Sequence, residues 1–184
     1  MQYKLTTPCT AEDLAPLRAG DTILLSGIVY TARDAAHKRM CEALDAGETL
    51  PFCLEGSAIY YVGPTPEKPG QIIGSAGPTT SGRMDAYSPR LLDLGNKMMI
   101  GKGKRDAAVK DAVVRNGAVY VAALGGAGAL MCQCVQSLEI IAWPDLGCEA
   151  VRRLEVKDMP LTVILDSHGG DLYESGPAGY LESL

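Results

Sequence analysis

The sequence alternates short apolar runs, rich in β-branched residues, with segments of helical periodicity, and this alternation restricts the possible folds more than any other feature. The first run, DTILLSGIVYT at 21–31, leads directly into RDAAHKRMCEALDAG at 33–47. In that second segment Ala36, Met40 and Leu44 recur every four residues, Asp34 can serve as the N-cap, and a glycine ends the pattern. Because strand–helix units of this kind build layered proteins, the sequence predicts an α/β fold.

The rest of the chain continues the pattern and predicts one domain over residues 1–184 with a mixed sheet or two small sheets. A three-proline stretch at 62–71 indicates a surface loop. The pattern of residues 151–173 predicts two strands joined around Asp158–Pro160 and a turn at His168–Gly170. Further strands are predicted at 57–63, 71–77, 97–103, 118–124 and 137–144, and helices at 82–95 (broken near Pro89), 106–117 and 125–136.

Composition argues against several classes of partner. Aromatic residues make up 5% of the chain and the net charge is −5, so neither base stacking nor attraction to a phosphate backbone is expected. No window has the roughly 18 consecutive apolar residues of a membrane span, and the N-terminus lacks a signal pattern, so we expect a cytoplasmic protein. The six cysteines show no paired spacing, and Cys132 and Cys134 would point to opposite sides of a helix, so we expect no metal bound by this chain.

Three cationic residues share one context. Arg33, Arg83 and Lys102 each lie where a predicted strand gives way to a predicted helix. At the carboxyl ends of strands in α/β sheets, helix N-termini present free N–H groups to anions, and guanidinium groups suit bidentate contacts with carboxylates. The three residues are therefore candidates for binding a small dicarboxylate, although solvated surface charges would give the same pattern.

The stretch GSAGPTTSGRMD at 74–85 places hydroxyl groups just before one of these arginines. From the residues alone, the hydroxyls of Thr79, Thr80 and Ser81 are best explained as helix caps. A threonine could act as a base only if cations lie close enough to stabilise its alkoxide. His37, one helical turn beyond the first arginine, is either a proton shuttle at the same site or a buried structural side chain.

Taken together, these segments resemble the β subunit, or the equivalent C-terminal domain, of the iron–sulfur class I fumarases and L-tartrate dehydratases. The resemblance extends over nearly the whole chain, and its motifs occur in the same order. They are GDTILLSGIVYTARDAAHKR at 20–39, AIYYVGPT at 58–65, SAGPTTSGRMD at 75–85, MMIGKGKR at 98–105, LGGAGAL at 124–130 and DLGCEAVRRLEVKDMP at 145–160. It implies a swivelling β/β/α domain that functions with an α subunit carrying a [4Fe-4S] cluster, whose open iron acts on the substrate hydroxyl.

The resemblance also implies roles for individual residues. Arg33, Arg83 and Lys102 would hold the dicarboxylate, and Thr79 would take the proton from the carbon beside the leaving hydroxyl. Thr80 is a further candidate for substrate binding, and His37 is a supporting catalytic candidate. Relatives often have KGN where this chain has KGKR. Either Lys102 alone or the additional Lys104 beside it could therefore contact the substrate.

The motifs at 124–130 and 145–160 are closer to the fumarase pattern, so reversible hydration of fumarate to L-malate is the expected reaction. An L-tartrate dehydratase β subunit and a non-catalytic module that binds a dicarboxylate are the alternatives.

Overall fold

Seven strands form one mixed sheet in the computed structural model, which describes residues 1–123 and 128–182. The sheet order is β1-β2-β3-β4-β5-β7-β6, and β7 also pairs with β2. The strands are β1 (Gln2–Thr6), β2 (Thr22–Thr31), β3 (Ala58–Tyr60), β4 (Met98–Gly101), β5 (Val119–Ala122), β6 (Val135–Ala142) and β7 (Val151–Leu165).

The second contact of β7 closes part of the sheet into a barrel. Strands β2, β3, β4 and β5 are parallel neighbours, and β7 runs antiparallel to both β2 and β5. Five strands thus form a closed, barrel-like core, with β1 and β6 attached at its sides. The mixed α/β fold expected from the sequence is confirmed.

The helices surround this core. They are α1 (Ala11–Leu14), α2 (Asp34–Asp45), α3 (Ser88–Asp93), α4 (Ala107–Arg115), α5 (Gly128–Gln133) and α6 (Leu172–Glu182), with 3₁₀ helices at Ser81–Met84 and Pro144–Glu149. No helix within residues 1–123 and 128–182 is long and apolar enough to cross a membrane.

Alternate strand residues face two separate apolar cores. In β3, Ala58 and Tyr60 belong to one core, whereas Ile59 between them belongs to the other core, which also contains Met40 of α2. This is the period-two alternation of a strand buried on both faces. The parallel strands are therefore covered by helices on the outside, and their carboxyl ends meet at one edge.

Some predicted elements differ from the structure. The segment 71–77 belongs to a loop and is not a strand, because the backbone of Ser75 is hydrogen-bonded to the N–H and the hydroxyl of Thr65 in the same loop. The two strands predicted at the end of the chain are the single strand β7, in which Asp158 absorbs the bend with a φ of 49° while pairing with β2 continues on both sides.

Other predicted boundaries change. The helix predicted at 125–136 corresponds to α5, and residues 125–127 lie outside the described part of the chain, as do residues 124–127 of the LGGAGAL motif. The helix predicted at 82–95 is divided into a 3₁₀ helix and α3, with Pro89 in the first turn of α3. Strand β1 and helices α1 and α6 were not predicted.

Candidate functional site

The predicted site residues follow three neighbouring parallel strands at the same edge of the sheet. Arg33 lies two residues after β2, and Lys102 comes directly after β4. Between them, the backbone N–H of Thr79 donates to the carbonyl of Tyr61, the residue after β3 (2.8 Å). This is the edge of an α/β sheet where ligands commonly bind.

A carboxylate joins the two arginines. Arg83 Nε donates to Asp34 Oδ1 at 2.8 Å, and Arg33 Nη2 lies 3.7 Å from Asp34 Oδ2. Arg33 Nη2 also lies 3.4 Å from Glu149 Oε1, and the other oxygen of Glu149 accepts the backbone N–H of Ala35 (2.9 Å). The structure therefore brings both predicted arginines to one place. Arg33 Nε and Asp34 Oδ2 are buried there without a hydrogen-bond partner.

The start of α2 differs from the prediction, because the Asp34 carboxylate pairs with Arg83 and does not cap the helix. Arg33, and not Asp34, is the N-cap residue, and its side chain makes no capping hydrogen bond. Asp34 is the first residue of the helix, and its carboxylate turns toward Arg83. Glu149 instead supplies an acceptor for the first turn of the helix, although it comes from a 3₁₀ helix 114 residues away in the sequence.

The threonine pair and the lysine form a second contact. Thr80 and Lys102 are partners in an isolated parallel β-bridge, in which Ser81 N–H donates to the Lys102 carbonyl (2.9 Å). Lys102 N–H donates in turn to Ser81 Oγ (3.0 Å). Bridge partners present their side chains on the same side, so the exposed side chains of Thr80 and Lys102 share one face. Thr79 is half-buried.

The capping interpretation of these hydroxyls is wrong. Thr80 is the N-cap residue of the 3₁₀ helix, but its side chain makes no capping hydrogen bond. The Ser81 hydroxyl accepts the N–H of Lys102 and lies 3.0 Å from the Tyr120 hydroxyl. The stretch therefore anchors the lysine loop as well as opening a helix.

His37 lies behind the first arginine and is completely buried. Its Nδ1 is 2.9 Å from the carbonyl oxygen of Arg33, and because that oxygen can only accept, Nδ1 carries the proton. Its Nε2 is buried without a partner, and the ring packs edge-on against Tyr61. Burial lowers the pKa of His37 to about 4, so the imidazole is neutral at pH 7. The geometry links His37 to the backbone of Arg33.

The basic residues after the lysine point in different directions. Lys104 is exposed, and its side chain makes no hydrogen bond or ion pair with another described residue. The Arg105 side chain is fully buried, where its Nε donates to Asp85 Oδ1 (2.6 Å) and its Nη2 to Ser88 Oγ (2.7 Å). Its guanidinium also lies over the ring of Tyr120, 4.9 Å from the centroid. This buried cation is held inside the fold by Asp85 and Ser88, and its spacing in the sequence did not distinguish it from Lys104.

The described residues do not fit an iron–sulfur cluster. Within residues 1–123 and 128–182 there is no group of three or more His, Cys, Asp or Glu side chains arranged to hold a metal ion. The thiols of Cys132 and Cys134 instead donate to carbonyls of α5, at 3.0 and 3.7 Å.

Comparisons with known proteins give a consistent assignment. A family model described as Fumarase C-terminus matches residues 1–176. The aerobic class I fumarate hydratase of Escherichia coli K12 is 40% identical over 152 residues, which is 82% of this chain and 28% of that protein. Fumarate hydratase 2 of Leishmania major is 37% identical over 168 residues, 88% of this chain and 29% of that protein.

A relative of similar length also matches. The putative L(+)-tartrate dehydratase subunit beta of Methanocaldococcus jannaschii is 40% identical over 171 residues, which is 90% of this chain and 88% of the relative. The chain thus spans under a third of these two fumarate hydratases but most of the dehydratase subunit.

Proposed function

Because the chain belongs to the Fumarase C-terminus family, we propose that it is the β subunit of a two-subunit hydro-lyase that converts fumarate reversibly to L-malate. The match to nearly all of a relative described as a subunit beta supports a separate β chain. The fumarate hydratases of Escherichia coli and Leishmania major, of which this chain covers less than a third, support a larger enzyme whose remaining part lies outside these residues. We place this enzyme in the cytoplasm.

The observation that carries the proposal is the grouping of cations at one sheet edge. Arg33 and Arg83 meet at Asp34, and Lys102 lies at the end of the next strand but one. Guanidinium groups make paired hydrogen bonds to carboxylates, and the lysine adds a third positive charge. The three cations would hold the two carboxylates of the substrate. They would also stabilise the charge that develops when a proton leaves the carbon beside the one that bears the departing hydroxyl. Lys104 is a further candidate for contact with the substrate.

The proton acceptor is proposed to be a threonine hydroxyl. The family resemblance assigns this role to Thr79. The described contacts favour Thr80 as the alternative, because it shares a face with Lys102 and a nearby positive charge lowers the pKa of a hydroxyl. Each assignment leaves the other threonine as a contact for the substrate. His37 would orient the arginine backbone through its Nδ1–H, since its own imidazole is buried.

The [4Fe-4S] cluster that the resemblance implies would belong to a partner α subunit, since the described residues here do not fit one. When bound there, it would supply the Lewis acid for the departing hydroxyl. This chain would contribute the carboxylate clamp and the base. The isolated chain should therefore be colourless and inactive.

The test is to purify the chain with a cluster-bearing partner and to measure fumarate hydration. Wild type should be active, and alanine at the base should lower kcat by about a hundredfold or more, the usual contribution of general-base catalysis. Comparison of Thr79→Ala with Thr80→Ala identifies the base. Thr6→Ala, on an exposed edge-strand threonine, is the matched control and should keep wild-type turnover. Near-full activity of both test variants would refute a threonine base.

Two alternatives are outcomes of the same experiment. Turnover of L-tartrate in preference to fumarate would identify a tartrate dehydratase, a possibility that the name of the Methanocaldococcus relative supports. Dicarboxylate binding without turnover in the complex would identify a non-catalytic module.

A further inference from the structure

Three hydroxyl groups hold the short loop that carries Lys102. The Lys102 N–H donates to Ser81 Oγ (3.0 Å), and the Tyr120 hydroxyl donates to the carbonyl of Gly103 (2.8 Å). On the other side of the same residue, the Gly103 N–H donates to the hydroxyl of Tyr173 (3.1 Å). Gly103 adopts a φ of 86°, so the loop turns in a region that favours glycine. Without these bonds a glycine here would have unusual freedom.

Tyr173 reaches the loop from the C-terminal helix α6, which has its own anchor. Lys110 of α4 contacts the carboxylates of Asp171, with Nζ to Oδ2 at 2.6 Å, and Glu174. Asp171 Oδ1 also accepts the backbone N–H of Tyr173 at 2.8 Å. The start of α6 is thus attached to α4 independently of the loop. The tyrosine hydroxyl is presented to the loop from a fixed support.

The lysine side chain itself has no such support. Lys102 is exposed, and its side chain makes no hydrogen bond or ion pair with another described residue. The direction of its Cα–Cβ bond therefore depends on the backbone of the loop. That backbone is held on one side by Tyr120 and on the other by Tyr173.

We propose that Tyr173 is a positioning residue that fixes the lysine loop, so that the ammonium of Lys102 meets the substrate carboxylate in one orientation. The inference rests on the proposed function, since it takes Lys102 as a contact for the dicarboxylate. It extends that function to the C-terminal helix, which the sequence motifs did not connect to the site. Tyr173 acts through the loop, and its hydroxyl accepts from the loop rather than touching the reacting atoms.

The experiment is a double-mutant cycle in the complex with the partner subunit. Tyr173→Phe removes the hydroxyl and keeps the ring, and it should lower kcat/KM about threefold to tenfold, mainly through a higher KM. In a Lys102→Ala background the same change should have no further effect, because residues that act through one another are not additive. Tyr3→Phe is the matched control: Tyr3 lies on the edge strand β1, and its hydroxyl also bonds a backbone group, donating to the Pro16 carbonyl.

A second measurement does not depend on activity. Amide hydrogen exchange at Gly103 in the full chain should be faster in Tyr173→Phe than in wild type and in Tyr3→Phe. Unchanged exchange, unchanged kcat/KM, or an equal loss in the Lys102→Ala background would each overturn the inference. If wild type neither binds nor converts a dicarboxylate, the proposed function fails, while the exchange rates still decide whether Tyr173 holds the loop.

Discussion

Acidification should destabilise this protein through His37. The imidazole is completely buried, and burial lowers its pKa from 6.5 to about 4. The hydrogen bond to the Arg33 carbonyl and the nearby Asp34 carboxylate oppose this shift, whereas the Arg105 guanidinium adds to it. Protonation would place a charge on Nε2, which has no partner in its apolar surroundings beside Tyr61.

The size of the effect follows from the difference between the folded and unfolded pKa values. Above about pH 6.5 the imidazole is neutral in both states, so it adds no pH dependence. Between about pH 6.5 and pH 4 the unfolded chain binds a proton that the folded chain excludes. The free energy of unfolding then falls with each pH unit, by roughly 1 kcal/mol in total at pH 5.5 and by roughly 2 to 3 kcal/mol at pH 4.5. The loss levels off at about 3 kcal/mol below pH 4.

Urea unfolding of wild type and His37→Gln at about pH 7.5, 5.5 and 4.5 measures this contribution. The variant loses packing and should be less stable at neutral pH, but its stability should fall less steeply with acid. The difference between the two proteins should shrink by the amounts given above. Thr6→Ala, on an exposed edge-strand residue with no titratable group, is the control and should keep the wild-type slope. Equal slopes for wild type and His37→Gln would refute the reasoning.

Two further predictions concern arginine side chains: the position of Arg33 and the contribution of Arg105 to stability. Gly63→Ala should weaken dicarboxylate binding while leaving folding nearly intact, because the new methyl group would lie 2.7 Å from Nη1 of Arg33 and displace it. Calorimetric titration of the complex checks this, and unchanged affinity would contradict it. Arg105→Met should lower the free energy of unfolding by about 3 kcal/mol or more, since it removes the only cation paired with the largely buried Asp85 carboxylate among the described residues. Denaturant unfolding that shows a loss below about 1 kcal/mol would argue against this role.

Elements with strong local signals were predicted well. Helix α4 begins after Asp106, whose side chain accepts the N–H of Val109, and it ends just before a glycine, as its pattern indicates. The segment 71–77 has the composition of a strand, but hydrogen bonds with Thr65, earlier in the same irregular segment after β3, hold it in a loop conformation. A pattern read over a short window does not reveal such a partner, and contacts of this kind override a weak propensity.

By itself, the sequence determined which residues could form the site and the kind of ligand they suit. Arg33 and Lys102 stand where strands end, and strand ends of a parallel sheet meet at one edge whatever the details of packing. Arg83 was predicted to follow a strand as well, but it lies in a 3₁₀ helix after a loop and joins Arg33 through Asp34. Only the tertiary structure decided which groups hold those cations. Asp34 meets Arg83 across 49 residues of sequence, and Tyr173 meets the lysine loop across 70. These pairings depend on closure of the barrel and on the docking of α6, which bring together groups that share no periodicity along the chain.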